Sequence, residues 1–430
     1  MRKIFLYVLT IAMVISLAAP FASFAEEDVI EISNAAELAA IGTDETTLAG
    51  NYKLTADIEA ETGISGNFIG TFDGDGHTVS GLTTALFETI GDGTTGATVK
   101  NVTVDATITG ASTHGSNPTA TTFEDPTRVG ILTQKINPDC VVENVTTCGS
   151  IDWDSAGFAT MTGGIAGETW AGSASSDPLK TITISGCTNK ATITVANTVK
   201  IGSVGGIVGF CTGYGTLEVT QCVNEGNIVL TGGHTSPAGI VGRFNEAKDA
   251  GTSLYPTGML TECANLGDIT VNNRAGGEYT CGIVASIKKG TISKCYNVGE
   301  LTDSNGAFGI FGYTNADNNT LTVEYCYNAT EAAIKGELWH TLKGATNVTI
   351  LNCYYLAGRS FAAKADWTGD AGAAGKREPL SADTVADIAA ALSAHGYVAN
   401  PDAELGYPVL PFQIVEEEVG IEPSLDGDFL

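Results

Sequence analysis

The sequence predicts an all-β chain wound as a right-handed parallel β-helix, a solenoid with short helical caps at both ends. Three observations predict it. The first is a cassette that recurs along the chain, anchored at Val102, Val145, Cys187, Cys222, Cys263, Cys295, Cys326 and Cys353. Three residues before each anchor stands an apolar residue: Val99, Val142, Ile184, Val219, Leu260, Ile292, Val323 and Ile350. Six residues after the first six anchors stand Ile108, Ile151, Ile193, Ile228, Ile269 and Leu301. The anchors are 27 to 43 residues apart, a period at which each unit buries its apolar side against its neighbours. The second observation is that each period holds three strand-like pieces, such as Gly205–Gly209, Leu217–Thr220 and Asn227–Leu230, or Gly163–Gly167, Thr181–Ile184 and Ala191–Val195. Gly-Ile pieces also begin at Gly130, Gly239, Gly282 and Gly309. Three strands per period make one triangular coil, each strand paired with its counterpart a coil away. About nine coils at ~4.8 Å give a rod of ~45 Å. The third observation is composition. Charged residues are 16% of the chain and Gly numbers 53, which fits stacked strands and tight turns better than helices.

The elements follow in chain order. Residues 1–25 read as a secretory signal peptide: Arg2 and Lys3, an apolar run from Ile4 to Ala19, and small residues around Ala25. No second apolar stretch follows, so the mature chain is expected to be secreted, or held at the cell surface, without membrane insertion. Residues 26–50 read as an N-terminal cap, with Asn34-Ala-Ala-Glu37 opening a short helix that presents Leu38 and Ile41. The repeats occupy 51–358. Residues 359–413 read as a C-terminal helix and strand cap. Within them Ser381–Ala394 carries Val385, Ile388, Ala389 and Leu392 on one side, with Gly396 past its end. Residues 414–430 form an acidic, mobile tail.

Two columns are expected to be structural. Cys187, Cys222, Cys263, Cys295 and Cys326 stand where Val102 and Val145 stand, so they read as small buried hydrophobes. A disulfide between adjacent coils fits the same vertical spacing. Two residues past these anchors come Asn189, Asn224, Asn265, Asn297 and Asn328. Stacked identical amides hydrogen-bond up and down a solenoid. The three-residue step from Val219 to Cys222 breaks a period of two, so a corner lies between them.

These segments resemble the GLUG-repeat family of secreted bacterial proteins. Gly206-Ile-Val-Gly209, Gly239-Ile-Val-Gly242 and Gly309-Ile-Phe-Gly312 are similar to its Gly-Leu-apolar-Gly strand, with Ile in the second place. Cys222-Val-Asn-Glu-Gly226 and Cys263-Ala-Asn-Leu-Gly267 are similar to its Cys-x-Asn-x-Gly. The segment Phe72–Leu82 resembles its N-terminal rung, and Gly406–Leu410 a common ending. The resemblance spans about residues 30–413. It implies a β-helical, adhesin-like surface protein. The repeat also accompanies immunoglobulin-cleaving metallopeptidases, whose His-Glu-x-x-His zinc motif this chain lacks.

The mature chain keeps 19 basic against 49 acidic residues, a net charge of −30, which repels nucleic acid and anionic membranes. No catalytic group, metal site or cofactor is assigned. Cys140, Cys148, Cys211 and Cys281 fall outside the ladder, and no Cys or His pair has zinc spacing. Asp152 and Asp154 share one side of a strand, and Asp73 and Asp75 beside His77 form an Asp-Gly turn. Such pairs read as solvated edges and turns before they read as acid–base pairs or cation sites. Binding falls to insertions at about 109–128, 168–180, 243–258 and 272–280, which bring Trp170, Arg243, Phe244, Tyr255 and Arg274. Exposed aromatics stack on sugar rings or anchor protein partners. The expected function is non-enzymatic binding or adhesion toward a glycan or a host or cell-surface protein. The alternative is a polysaccharide-active lyase or hydrolase.

Overall fold

A computed structural model describes residues 29–113, 126–173, 178–198, 202–233, 235–244, 255–273, 280–303, 306–313, 320–330, 339–341, 348–356, 380–402 and 406–414. The chain is a parallel β-helix. One coil shows the plan: Thr160–Gly163 lies on a first face, Ala166–Trp170 on a second and Thr181–Ser185 on a third. Thr188–Asn189 and Thr192–Thr198 then make a fourth. Stacked coils give sheets of six, nine, eleven and fifteen strands among the described residues, and the strand ladders are parallel. The apolar column from Val99 to Ile350 runs up the third face in strict register. Pairing of Thr103, Thr146, Thr188, Val223, Ala264, Tyr296, Tyr327 and Tyr354 on the fourth face sets the preceding anchors in one column. That column is at most 2% exposed and joins a single core running from Ile32 to Cys353.

The predicted triangular coil is corrected in one respect. Gly164-Ile165, Gly206-Ile207, Gly239-Ile240, Gly282-Ile283 and Gly309-Ile310 are bends between two strands, not strands. The first face runs into the bend and the second runs back out, so the two faces lie against each other as an arch. Their contact is too close for side chains at some positions. A Cβ on Gly209 of the second face would come 2.6 Å from the carbonyl oxygen of Thr162 on the first.

The other Gly of the motif answers to the Asn column. Asn189 Nδ2 donates to Asn224 Oδ1 (2.8 Å), Asn224 to Asn265 (2.8 Å), Asn265 to Asn297 (2.7 Å) and Asn297 to Asn328 (2.8 Å). The second N–H of each donates to a carbonyl two residues on, as Asn265 does to Gly267 at 2.9 Å. Thr147 Oγ1 heads the ladder by donating to Asn189 Oδ1 at 3.0 Å. Opposite each amide sits a bend glycine. A Cβ on Gly206 would lie 2.3 Å from Asn224 Cγ, and one on Gly239 2.3 Å from Asn265 Cγ. Gly-Ile-x-Gly and Cys-x-Asn-x-Gly are thus two sides of one contact within a coil.

The corner between third and fourth faces is a column of left-handed residues: Asn101, Asn144, Gly186, Gln221, Glu262, Lys294, Tyr325 and Asn352, with φ between 49° and 61°. This conformation costs an ordinary residue roughly 1–2 kcal/mol. The stack offsets it. Each amide is aimed at the next coil, as Gln221 N–H donates to Thr261 O (3.0 Å) and Glu262 N–H to Ser293 O (2.9 Å). The outward side chains also meet: Gln221 Nε2 donates to Glu262 (2.9 Å), whose other oxygen pairs with Lys294 Nζ (3.1 Å).

At the N-terminal end, Asn34 Oδ1 accepts from the amides of Ala36 and Glu37 and opens a helix over Ala35–Ala40. That helix buries Leu38, and Ile41 just past its end is buried with it. At the C-terminal end, Leu380–Ala382 pairs with Tyr354–Leu356 as one more rung. The chain then forms a helix over Val385–Leu392 and doubles back along the outer side of the fourth face. Tyr397 Oη donates to Tyr325 O (3.0 Å), Tyr296 Oη to Gln413 Oε1 (2.8 Å), and Tyr327 Oη to Pro408 O. Tyr296 and Tyr327 stack at 4.8 Å beneath this segment. It lies along the side of the coils, where the sequence placed it across their end.

Asn265→Ala is expected to leave Asn224 Nδ2, Asn297 Oδ1 and Gly267 O without their buried partner, destabilising the chain by about 3 kcal/mol. Exposed Asn272→Ala should change little. Urea midpoints of the two variants test this, and equal midpoints would remove the ladder from the account. The ten cysteines are free thiols and all but Cys148 are buried. Burial pushes Cys140 up to about 11 and Cys211 up to about 12. A raised folded-state value means the stabilisation is complete below the unfolded thiol value near 9 and is lost as pH climbs toward 11–12. Cys140 alone should account for about 2 kcal/mol by pH 11. Cys140→Ala is expected to flatten the fall of melting temperature between pH 9 and 11, and an unchanged slope would refute it.

Candidate binding surface at the mouth of the arch

Because the second face doubles back on the first, the start of one lies beside the end of the other. Arg128, near the start of Thr127–Gly130, reaches Glu168, near the end of Ala166–Trp170. Insertions that follow the fourth face and insertions that follow the second therefore open on the same edge. The four variable stretches at 109–128, 168–180, 243–258 and 272–280 all begin or end there.

The most closely bonded group described at this mouth surrounds Glu168. Glu168 is 6% exposed; its carboxylate accepts from Arg128 Nε through one oxygen and from Thr212 Oγ1 at 3.2 Å through the other. Lys135 is its register partner in the preceding coil. The Lys135 ammonium lies 5.3 Å from the centre of the Trp170 ring, a cation–π contact. Burial holds this lysine below its ordinary value; Glu168 opposes that shift and Arg128 adds to it. Gly93, at φ 94°, lets the loop before Thr98 come close: a Cβ there would lie 3.1 Å from the Trp170 ring. A second pair repeats the theme, with Lys288 over the Tyr255 ring at 4.8 Å.

The four residues expected to bind ligand thus fall at the ends of second-face strands or in the insertions that leave them, but not all face solvent. Trp170 and Tyr255 are half-buried, each under a lysine. Arg243 is half-buried in register with Phe210 and Ser286. Phe244 is fully buried, where an exposed aromatic was expected. The second face does not alternate strictly: Val208 and Cys211, three residues apart, both join the core, as do Val241 and Phe244. Thr169, Cys211 and Phe244 thus stand in one register column, whose last two members are buried in the core. Arg274 lies outside the described residues. The sequence did not single out Arg128, Lys135 or Glu168. A partial signal was present: Lys135 and Glu168 are opposite charges at equivalent second-face positions of successive cassettes, while Arg128 stands on the first face with no mark in the repeat.

The carboxylate pairs weighed for chemistry are otherwise engaged. Asp154 accepts from Asn197 Nδ2 (2.8 Å) and the Ala156 amide (2.7 Å), which hold it below its ordinary value, while Asp152 is exposed. Asp73 pairs with Lys100 (3.3 Å), Asp75 with Lys53 (2.9 Å) and His77 with Asp57 (3.3 Å). Among the described residues no three His, Cys, Asp or Glu side chains converge as metal ligands. None of the described helices is long and apolar enough to cross a membrane.

No protein-family model matches the chain, and no curated protein matches it, so the GLUG resemblance rests on the quoted motifs alone. Two solved structures are similar at 14% identity. One is a Bacteroides ovatus protein carrying the provisional name immunoglobulin A1 protease, with a TM-score of 0.40 over 90% of this chain and 94% of that one. The other is named IgA1 protease, with a TM-score of 0.37 over 78% of this chain; the match spans 22% of that protein.

Glu168→Gln is expected to weaken the clamp on Arg128 within a nearly dry site. We expect a loss of about 2 kcal/mol, below the range for fully buried pairs because Arg128 keeps 26% of its side-chain surface. Thermal unfolding checks this, and a melting temperature unchanged within error would show that the pair stabilises nothing.

Proposed function

We propose that this chain is an exported, non-enzymatic binding or adhesion protein that acts at or near a cell surface. In this reading GLUG-like coils are the scaffold, and the mouth of the arch engages a glycan or a surface protein. One observation carries the reading: the insertions of variable length, two aromatic rings and four cations gather on one edge of an otherwise repetitive rod. Repeat proteins concentrate recognition where length and residue type vary on a rigid frame. The net charge of −28 turns the reading away from nucleic acid and anionic lipid. Binding is favoured over glycan cleavage because the weighed Asp73, Asp75 and Asp154 already serve lysines, turn amides and asparagines.

The test is a glycan array and a panel of cell-surface proteins probed with the mature chain, beside an assay for new reducing ends. Binding without release of sugar is expected. Trp170→Ala and Tyr255→Ala should each weaken it about tenfold, the worth of one aromatic contact. Release of reducing ends would replace this reading with a polysaccharide-active enzyme. Binding indifferent to both variants would move the site away from the mouth.

A further inference from the structure

The environment of Trp170 narrows the class of ligand, an inference that rests on the binding role proposed above. Both oxygens of Glu168 are committed, one to Arg128 and one to Thr212. Lys135 makes no ion pair within 4.0 Å among the described residues, and its ammonium faces the Trp170 ring. Among the described residues, the charged groups that act on Lys135 are Glu168 and Arg128. The chain as a whole carries a net charge of −28, against which Lys135 is a half-buried cation. A partly desolvated ammonium gains most from an anion that can reach it. The half-buried indole beside it is a flat apolar group of the kind that stacks on a pyranose ring. An anion joined to a ring of that size meets both requirements at once.

We propose that Lys135 and Trp170, with Arg128 behind them, form a subsite for a carboxylate-bearing sugar, a uronic or sialic acid residue within a glycan. Lys135 meets the carboxylate and Trp170 the ring. Neutral sugars keep only the ring contact, and the strongly acidic remainder of the surface disfavours anions elsewhere.

The experiment is calorimetry on the full mature chain with two matched pairs of probes: an oligogalacturonide against its methyl ester, and sialyllactose against lactose. Tighter binding of one acid than of its neutral partner, by tenfold or more and shrinking as salt is raised, is expected. Lys135→Met keeps an aliphatic stem against the indole and removes the charge. It should abolish the preference for the acid while leaving affinity for the neutral partner and the melting temperature in place. Lys135→Arg should restore the preference. Equal binding of acid and neutral probes, absence of binding to both acids, or an acid preference that survives Lys135→Met with the fold intact would each overturn the assignment. A neutral glycan or a protein bound at the mouth would overturn the acidic-sugar subsite and leave the binding role standing. Release of reducing ends would overturn the role itself.

Discussion

A buried amide that bonds to its own copies in the coils above and below sets the geometry of this molecule. A side-chain amide shut away from water must place two donors and an acceptor. In each middle coil one donor goes to a carbonyl two residues on, and the other donor and the oxygen can be matched only one coil up and one coil down. The coil spacing and the register are fixed together, because a slip of one residue would strand the amide and turn the core positions outward. The same amide dictates what lies across the coil. Gly164, Gly206, Gly239, Gly282 and Gly309 face Asn189, Asn224, Asn265, Asn297 and Asn328 at distances no Cβ could share. Two short motifs, many residues apart in the chain, are one packing unit, and neither has a reason to recur without the other.

Much of this was legible because it is written as periodicity. The inward columns at Val219, Cys222 and Ile228 repeat in type and spacing, so their stacking followed from the sequence. The bends did not. Gly-Ile-Val-Gly has the composition of a buried strand, and only the approach of two backbones shows why its glycines sit at a fold in the chain. The corner was legible in position and hidden in form. A three-residue step demanded a turn, but Gln221, Glu262, Lys294 and Tyr325 are not residues that choose left-handed backbone. The stack chooses for them, since that conformation aims each amide at a carbonyl in the next coil. Phe244 was misplaced for a related reason: it follows Val241 by three residues, yet both join the core, so strict alternation does not tell which way the end of this strand points.

The C-terminal segment shows the same division between what is local and what is assembled. Its helix could be read from capping and amphipathic spacing, and Ile388 and Leu392 are indeed buried. Its docking surface could not. Val223, Ala264, Tyr296 and Tyr327 are single residues in four separate coils, each unremarkable alone. They become an apolar stripe only when the coils stack, and the returning segment covers that stripe with Tyr397 and Leu410.

That vertical rule also argues for where recognition belongs. Over most of the rod the stack places like upon like: amide on amide, thiol on thiol, aliphatic on aliphatic. Such columns make a stable body, but they offer a ligand one functional group repeated at a fixed step. Recognising a particular molecule needs unlike groups brought within a few ångströms, which requires the repetition to lapse. It lapses on the second face near the mouth, where Lys135, Glu168, Phe210, Arg243 and Ser286 occupy one column in successive coils. An acid, an aromatic ring and two kinds of cation are there stacked on a backbone as constrained as the rest. The glycines of the arch bring the first-face backbone close beneath them, while the insertions around them differ in length. Diversity of side chains on a frame that cannot shift is the condition for a specific site, and among the described residues the mouth meets it most fully.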